Sequence, residues 1–114
     1  MGGEDGDKIM TTTYNKLVRD KIPQIIAAQG KTATTEILED ETYAHALDQK
    51  LQEELDEYLQ SGTAEELADM MEVMLAILAH KDISEDAFSA LRLEKRASRG
   101  GFAERIFLKE VTEQ

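Results

Sequence analysis

The chain has 114 residues (12.8 kDa), 41% of them hydrophobic and 32% charged, and it contains no cysteine. Area scaling gives a folded surface of roughly 6,300 Å² against roughly 18,600 Å² unfolded, enough burial for one domain with one core. Without cysteine there are no disulfides, no thiolate-bound zinc and no thiol nucleophile. No apolar run approaches the roughly 20 residues that span a bilayer, and no secretory signal opens the chain, so a soluble, cytoplasmic protein without a membrane partner is expected. Thirteen Lys and Arg against 24 Asp and Glu give a net charge of -11. Such a surface repels a nucleic-acid backbone and disfavours DNA or RNA as a partner. A small phosphorylated ligand stays open, provided a divalent cation lies between its phosphates and the carboxylates.

Met1 to Ile9 is rich in Gly and acid and lacks periodicity. Residues 1–13 are expected to be a leader or disordered tail, with Met10 as the natural start; residues 14–114 then form a single domain. After a short irregular entry from Tyr14 to Arg19, Asp20 is placed to cap a helix over Lys21 to Gln29, with Pro23 in its first turn and Gly30 as its stop. Ile22, Ile25 and Ile26 would form its buried face. Lys31 to Leu38 is rich in β-branched residues and reads as a strand, with Arg105 to Val111 as its partner in a small terminal β pairing.

The middle of the chain is strongly helical. Asp40 is placed to cap a long helix over Glu41 to Gln60, with Ala44, Leu47, Leu51, Leu55 and Tyr58 at helical spacing. Ser61, Gly62 and Thr63 supply a stop, a left-handed glycine and a new cap, and Thr63 with Glu66 matches a capping box. The next helix, Ala64 to about His80, is apolar on nearly all sides and is expected to be buried between neighbours, a second subunit included. Ser84 then caps a helix to about Arg96, with Ala87, Phe88, Leu91 and Ala97 facing inward. The fold class is mainly α: a helical bundle around an antiparallel helix hairpin.

That hairpin makes a geometric prediction. Residues whose numbers share a total lie at the same height, which pairs Glu57 with Glu66 and Glu54 with Asp69. Each helix offers an i, i+3 acidic pair, in two layers about 4.5 Å apart at 1.5 Å per residue. Like charges this close raise one another's pKa and destabilise the fold unless a cation neutralises them. Oxygen-only ligands suit Mg2+, with Mn2+ as the alternative. Glu54, Glu57, Glu66 and Asp69 are therefore the candidate metal ligands, with Glu53 and Asp56 free to position or deprotonate water. An ordinary solvated helix face would carry the same acids, since Glu is a good helix former.

Other groups say less. His45 and His80 sit on different helices without a histidine at i, i+4, and the methionines read as core filling. Lys95, Arg96 and Arg99, beside Gly100 and Gly101, either grip phosphates or complement a helix C-terminus. Asn15 to Lys21 is a second basic patch with no meaning of its own.

The run Glu53-Glu54-Leu55-Asp56-Glu57 followed by Glu66-Leu67-Ala68-Asp69 resembles the EExxE…ExxD signature of all-α nucleoside triphosphate pyrophosphohydrolases, the MazG-like superfamily. Asn15 to Pro23 (NKLVRDKIP) and Lys95 to Ile106 (KRASRGGFAERI) are similar to the two ends of a phosphoribosyl-ATP pyrophosphohydrolase-like subgroup. The resemblance implies a magnesium-dependent hydrolase that cleaves a nucleoside triphosphate-type substrate to the monophosphate and pyrophosphate, with house-cleaning of non-standard nucleotides as one such role. It implies Glu54, Glu57, Glu66 and Asp69 as metal ligands, Glu53 as auxiliary ligand or water-orienting group, and a homodimer or higher homo-oligomer with sites near subunit interfaces. Glu53 and Glu54 are thus the expected catalytic residues, and Lys95, Arg96 and Arg99 the expected phosphate-binding ones. Only eight residues separate Glu57 from Glu66, fewer than the family's usual spacer, and the Asp-Leu-x-Tyr-His continuation of the histidine-pathway enzyme is absent. The alternative reading is a catalytically silent helical oligomerisation or regulatory module of the same fold.

Overall fold

The structure, a computed structural model, describes residues 10–114, so residues 1–9 of the leader or tail expected over residues 1–13 lie outside the described residues, while residues 10–13 are irregular and exposed. Four helices follow in order: α1 (Ile22–Ala28), α2 (Asp40–Ser61), α3 (Ala64–His80) and α4 (Glu85–Arg99). The chain is mainly helical, as its periodicity implies.

No strand occurs among the described residues, which corrects the expected pairing of Lys31 to Leu38 with Arg105 to Val111. β-branched composition favours a strand only when a neighbouring edge accepts its hydrogen bonds, and here neither segment finds one. Both are instead irregular and largely exposed, with Ile37, Ile106 and Phe107 all open to solvent.

The helix ends show which local signals prevail. At α1 the cap position is Lys21, in helical conformation and without a side-chain bond, so Asp20 does not cap. Arg19 O accepts from the Ile22 N–H at 3.0 Å instead, and Pro23 occupies the first turn, where its missing N–H matters little. Ile22 and Ile26 are half-covered, but Ile25 is exposed. α2 starts one residue early, with Glu39 at the cap position and Asp40 already helical, where its charge favours the positive helix end. Its far end matches expectation: Gly62 adopts the left-handed conformation (φ 66°), and its N–H reaches Tyr58 O at 2.7 Å.

Thr63 takes the cap position of α3, but the capping box with Glu66 does not form. The Thr63 hydroxyl lies 3.3 Å from Ser61 Oγ, which also accepts the Thr63 N–H. At α4, Ser84 Oγ accepts from the Ala87 N–H at 3.1 Å, a cap of the expected kind.

The main packing is α2 against α3, which bury Leu47 on one side and Val73 and Leu78 on the other. The Tyr43 and His80 rings meet edge-on, centroids 5.1 Å apart, at the end remote from Gly62. α4 touches α3 only slightly and buries none of its residues. Of its expected inward positions only Phe88 is half-covered, while Ala87, Leu91 and Ala97 are exposed because no described element faces them. The chain extends 83 × 32 × 24 Å and exposes 10,697 Å², well above the roughly 6,300 Å² of a compact monomer of this mass. Among the described residues, no helix is long and apolar enough to cross a membrane.

No atom lies within 4 Å of where a Cβ on Gly62 would sit, so its requirement for glycine is purely conformational. Gly62→Ala is expected to lower stability by about 1 kcal/mol. Urea unfolding followed by helical circular dichroism should show a lower midpoint and an unchanged slope.

Candidate metal centre

The stripe that carries the core turns acidic as it approaches Gly62. Glu54 lies seven residues after the buried Leu47, and Glu66 and Asp69 lie seven and four residues before the buried Val73. Helical periodicity therefore aims all three at the α2–α3 seam. One carboxylate oxygen from each of Glu54, Glu66 and Asp69 falls within 4.8 Å of the others, and Glu53, Glu54 and Glu57 form a second such group. Glu54 belongs to both. The four candidate ligands are thus not one equal set: Glu57 is exposed and joins the centre through Glu54.

Glu54 is only 5% exposed, and its Oε2 has no hydrogen-bond partner; Glu66 Oε2 is likewise buried and unpartnered. Buried polar atoms are normally satisfied, and two orphaned oxygens in one acidic group leave a donor set that could hold a cation. An all-carboxylate donor set fits a hard ion such as magnesium or manganese. Burial pushes the Glu54 carboxyl above its ordinary 4.5, the charge of Glu57 adds to this, and Lys50 offsets part of it. Lys50 Nζ lies 3.4 Å from Glu54 Oε1 and 3.4 Å from Glu53 Oε1.

Glu53 behaves oppositely. Its partial burial favours the neutral form, but hydrogen bonding and charge from Lys16 and Lys50 prevail and hold it below the ordinary value. Lys16 Nζ donates to Glu53 Oε1 at 2.9 Å, and this bond, outweighing partial desolvation, raises the lysine's own pKa. Asp69 accepts from Arg19 Nη2 at 2.7 Å. Lys16 and Arg19 belong to the basic patch that had no meaning in sequence, because they lie 37 and 50 residues from their partners. Lys50, with Glu53 and Glu54 at i+3 and i+4 from it, was open to detection by spacing.

The segment carrying Lys16 and Arg19 is an irregular arm, bent at Asn15, which has a positive φ of 46°. Asn tolerates that conformation better than most residues. A groove of about 220 Å³ separates arm from helix, with Asn15, Lys16 and Leu17 on one wall and Gln49, Lys50 and Glu53 on the other.

The remaining candidates lie elsewhere. Lys95, Arg96 and Arg99 are exposed at the end of α4, and among the described residues no ion pair joins them to the carboxylates. Asp56 is exposed and accepts from Gln52 Nε2 at 2.9 Å. His45 is exposed, and His80 packs on Tyr43.

Against known proteins, no family profile and no solved structure matches the chain. An uncharacterized protein of Mycolicibacterium smegmatis (strain ATCC 700084 / mc(2)155) is 46% identical over 48 residues, which are 42% of this chain and 49% of that protein. The chain therefore matches about half the length of this relative.

The electrostatics yield a sign for pH. A carboxyl whose pKa is raised on folding favours the folded state below the unfolded value, and this advantage is lost as pH rises through the folded value. Glu54→Gln removes the charge and offers an amide donor to Glu57, Glu66 and Asp69. The variant is expected to gain stability over the parent as pH climbs from 4 to 8 in metal-free buffer, measured by thermal denaturation. A parent equally stable relative to the variant across that range would contradict the raised pKa.

Proposed function

We propose that this chain is a magnesium-dependent nucleotide pyrophosphohydrolase of the MazG-like superfamily, cleaving a nucleoside triphosphate-type substrate to the monophosphate and pyrophosphate in the cytoplasm. The observation that carries the reading is the unpartnered, buried Glu54 Oε2 beside Glu66 and Asp69. In this reading α2 and α3 act as an antiparallel hairpin whose acidic end is the metal cradle. Glu54, Glu66 and Asp69 would hold the ion, with Glu57 alongside. When bound, magnesium shields the polyphosphate charge and polarises the phosphorus centre. Glu53, kept ionised by Lys16 and Lys50, accepts a hydrogen bond from the attacking water and orients it.

The same reading makes the protein a homodimer or higher homo-oligomer. Its support is the excess surface and the uncovered apolar side chains of α4 and the tail, Leu91, Phe102, Phe107 and Val111 among them. The basic cluster of Lys95, Arg96 and Arg99 then serves the phosphates from the same uncovered region.

A silent helical module remains the competing reading. Its support is that Arg19 and Lys16 already neutralise Asp69 and Glu53. The two readings differ in solution. At ten times its dissociation constant, a metal that binds only the folded chain adds about 1.4 kcal/mol of stability. This is expected to raise the melting temperature by about 5 °C or more, whereas the silent module predicts no shift. Separate assays of pyrophosphate and orthophosphate release over nucleoside tri- and diphosphates should show pyrophosphate as product. Asp69→Asn should lower that release by about a hundredfold or more while leaving the helical circular dichroism unchanged.

A further inference from the structure

The mixed charge around Glu53 is more than the holding of a metal ion requires. Two ammonium groups, Lys16 and Lys50, approach one oxygen of Glu53 at 2.9 and 3.4 Å, and Arg19 closes on Asp69 from the same arm. Cations that crowd metal ligands compete with the metal for them and weaken its binding. An arm that only hindered the ion would be a liability, so the groove beside it matters. That groove is lined by Asn15, Lys16 and Lys50 and is bounded by Glu53, which also belongs to the Glu53–Glu54–Glu57 group. It thus adjoins the carboxylates and is furnished with nitrogen donors for an anion.

We propose that the arm is a phosphate clamp: Lys16, helped by Lys50, exchanges its carboxylate partner for the oxygens of a polyphosphate chain lying in the groove. Arg19, on the same arm but outside the groove lining, exchanges Asp69 for oxygens of that chain where it passes the carboxylates. The proposal rests on the metal-centre reading, because the carboxylates must be neutralised otherwise once the arm lets go. Both pairs are solvent-accessible, with side-chain exposures of 41% and 26% for Lys16 and Glu53, and 56% and 39% for Arg19 and Asp69. Ion pairs this open are weak, so exchange costs little. Arg19 meets Asp69 through a single nitrogen–oxygen contact, 2.7 Å long, which leaves most of the guanidinium fork free for phosphate oxygens. The left-handed Asn15 sits immediately before Lys16 and lets the arm turn toward α2 at that point. Phosphate recognition by this centre is then assigned to residues at the start of the domain as well as to Lys95, Arg96 and Arg99.

The test uses two probes on the full chain and on the Lys16→Gln/Arg19→Gln double variant. Manganese alone is titrated by the electron paramagnetic resonance of the free ion. Tripolyphosphate is titrated calorimetrically with magnesium in excess. Removing the competing cations is expected to leave manganese binding at least as tight, and severalfold tighter at low salt. Losing charge-assisted bonds to phosphate is expected to weaken tripolyphosphate by about tenfold or more. A Lys31→Gln/Lys81→Gln variant, which removes the same charge at remote sites, should stay within about twofold for both. A purely structural arm would loosen both probes together, and that result overturns the proposal, as does unchanged tripolyphosphate affinity in the double variant. A parent chain that binds no manganese overturns the metal-centre reading itself, and the clamp with it.

Discussion

A carboxylate placed on the seam between two helices is the constraint around which this protein is organised. Glu54 occupies a position where helical repetition after Leu47 calls for an apolar side chain, and it is nearly as buried as that leucine. An ionised group there needs compensation, and Lys50, one turn away on the same helix, supplies part of it. Glu57, Glu66 and Asp69 do the reverse, adding negative charge around it. Three features surround that imbalance: a cationic arm whose Lys16 and Arg19 pair with Glu53 and Asp69, buried oxygens of Glu54 and Glu66 without donors, and the left-handed turn at Gly62 that joins the two acidic helix ends.

The legible and illegible parts of the fold divide along physical lines. α2, α3 and α4 were readable because each repeats apolar residues at helical spacing and ends in a residue with a local stop or cap signal, Gly62 and Ser84 above all. The grouping of Glu54, Glu66 and Asp69 was readable for the same reason, since a two-residue link leaves little freedom in how the helices face each other. The terminal strands were not, because pairing depends on a partner edge that no property of Lys31 to Leu38 or Arg105 to Val111 encodes. The capping box failed through competition: Ser61 engages Thr63, and Glu66 belongs to the acidic group. Lys16 and Arg19 were invisible for a different reason, as contacts across dozens of residues leave no periodic trace.

The distribution of apolar surface tells a second story. Leu47, Val73 and Leu78 are buried, whereas Leu91 and Leu93 on α4 and Phe102, Ile106, Phe107 and Leu108 beyond it are open to water. α4 carries the strongest segregation of polar and apolar faces of the long helices, yet it contributes nothing to the enclosed core. Its apolar face is left uncovered by the described residues.

The two-residue connection between α2 and α3 has a kinetic meaning. Closing so short a loop takes little chain entropy, and helices joined this way find each other before segments separated by long stretches of chain. Glu54, Glu66 and Asp69 thus meet at little cost in chain entropy, whereas the arm must close a loop across α1 and α2 to reach Asp69. In a chain whose arm is undocked, Lys50 is left as the paired cation of this acidic group, and ions of the surrounding solution screen the rest.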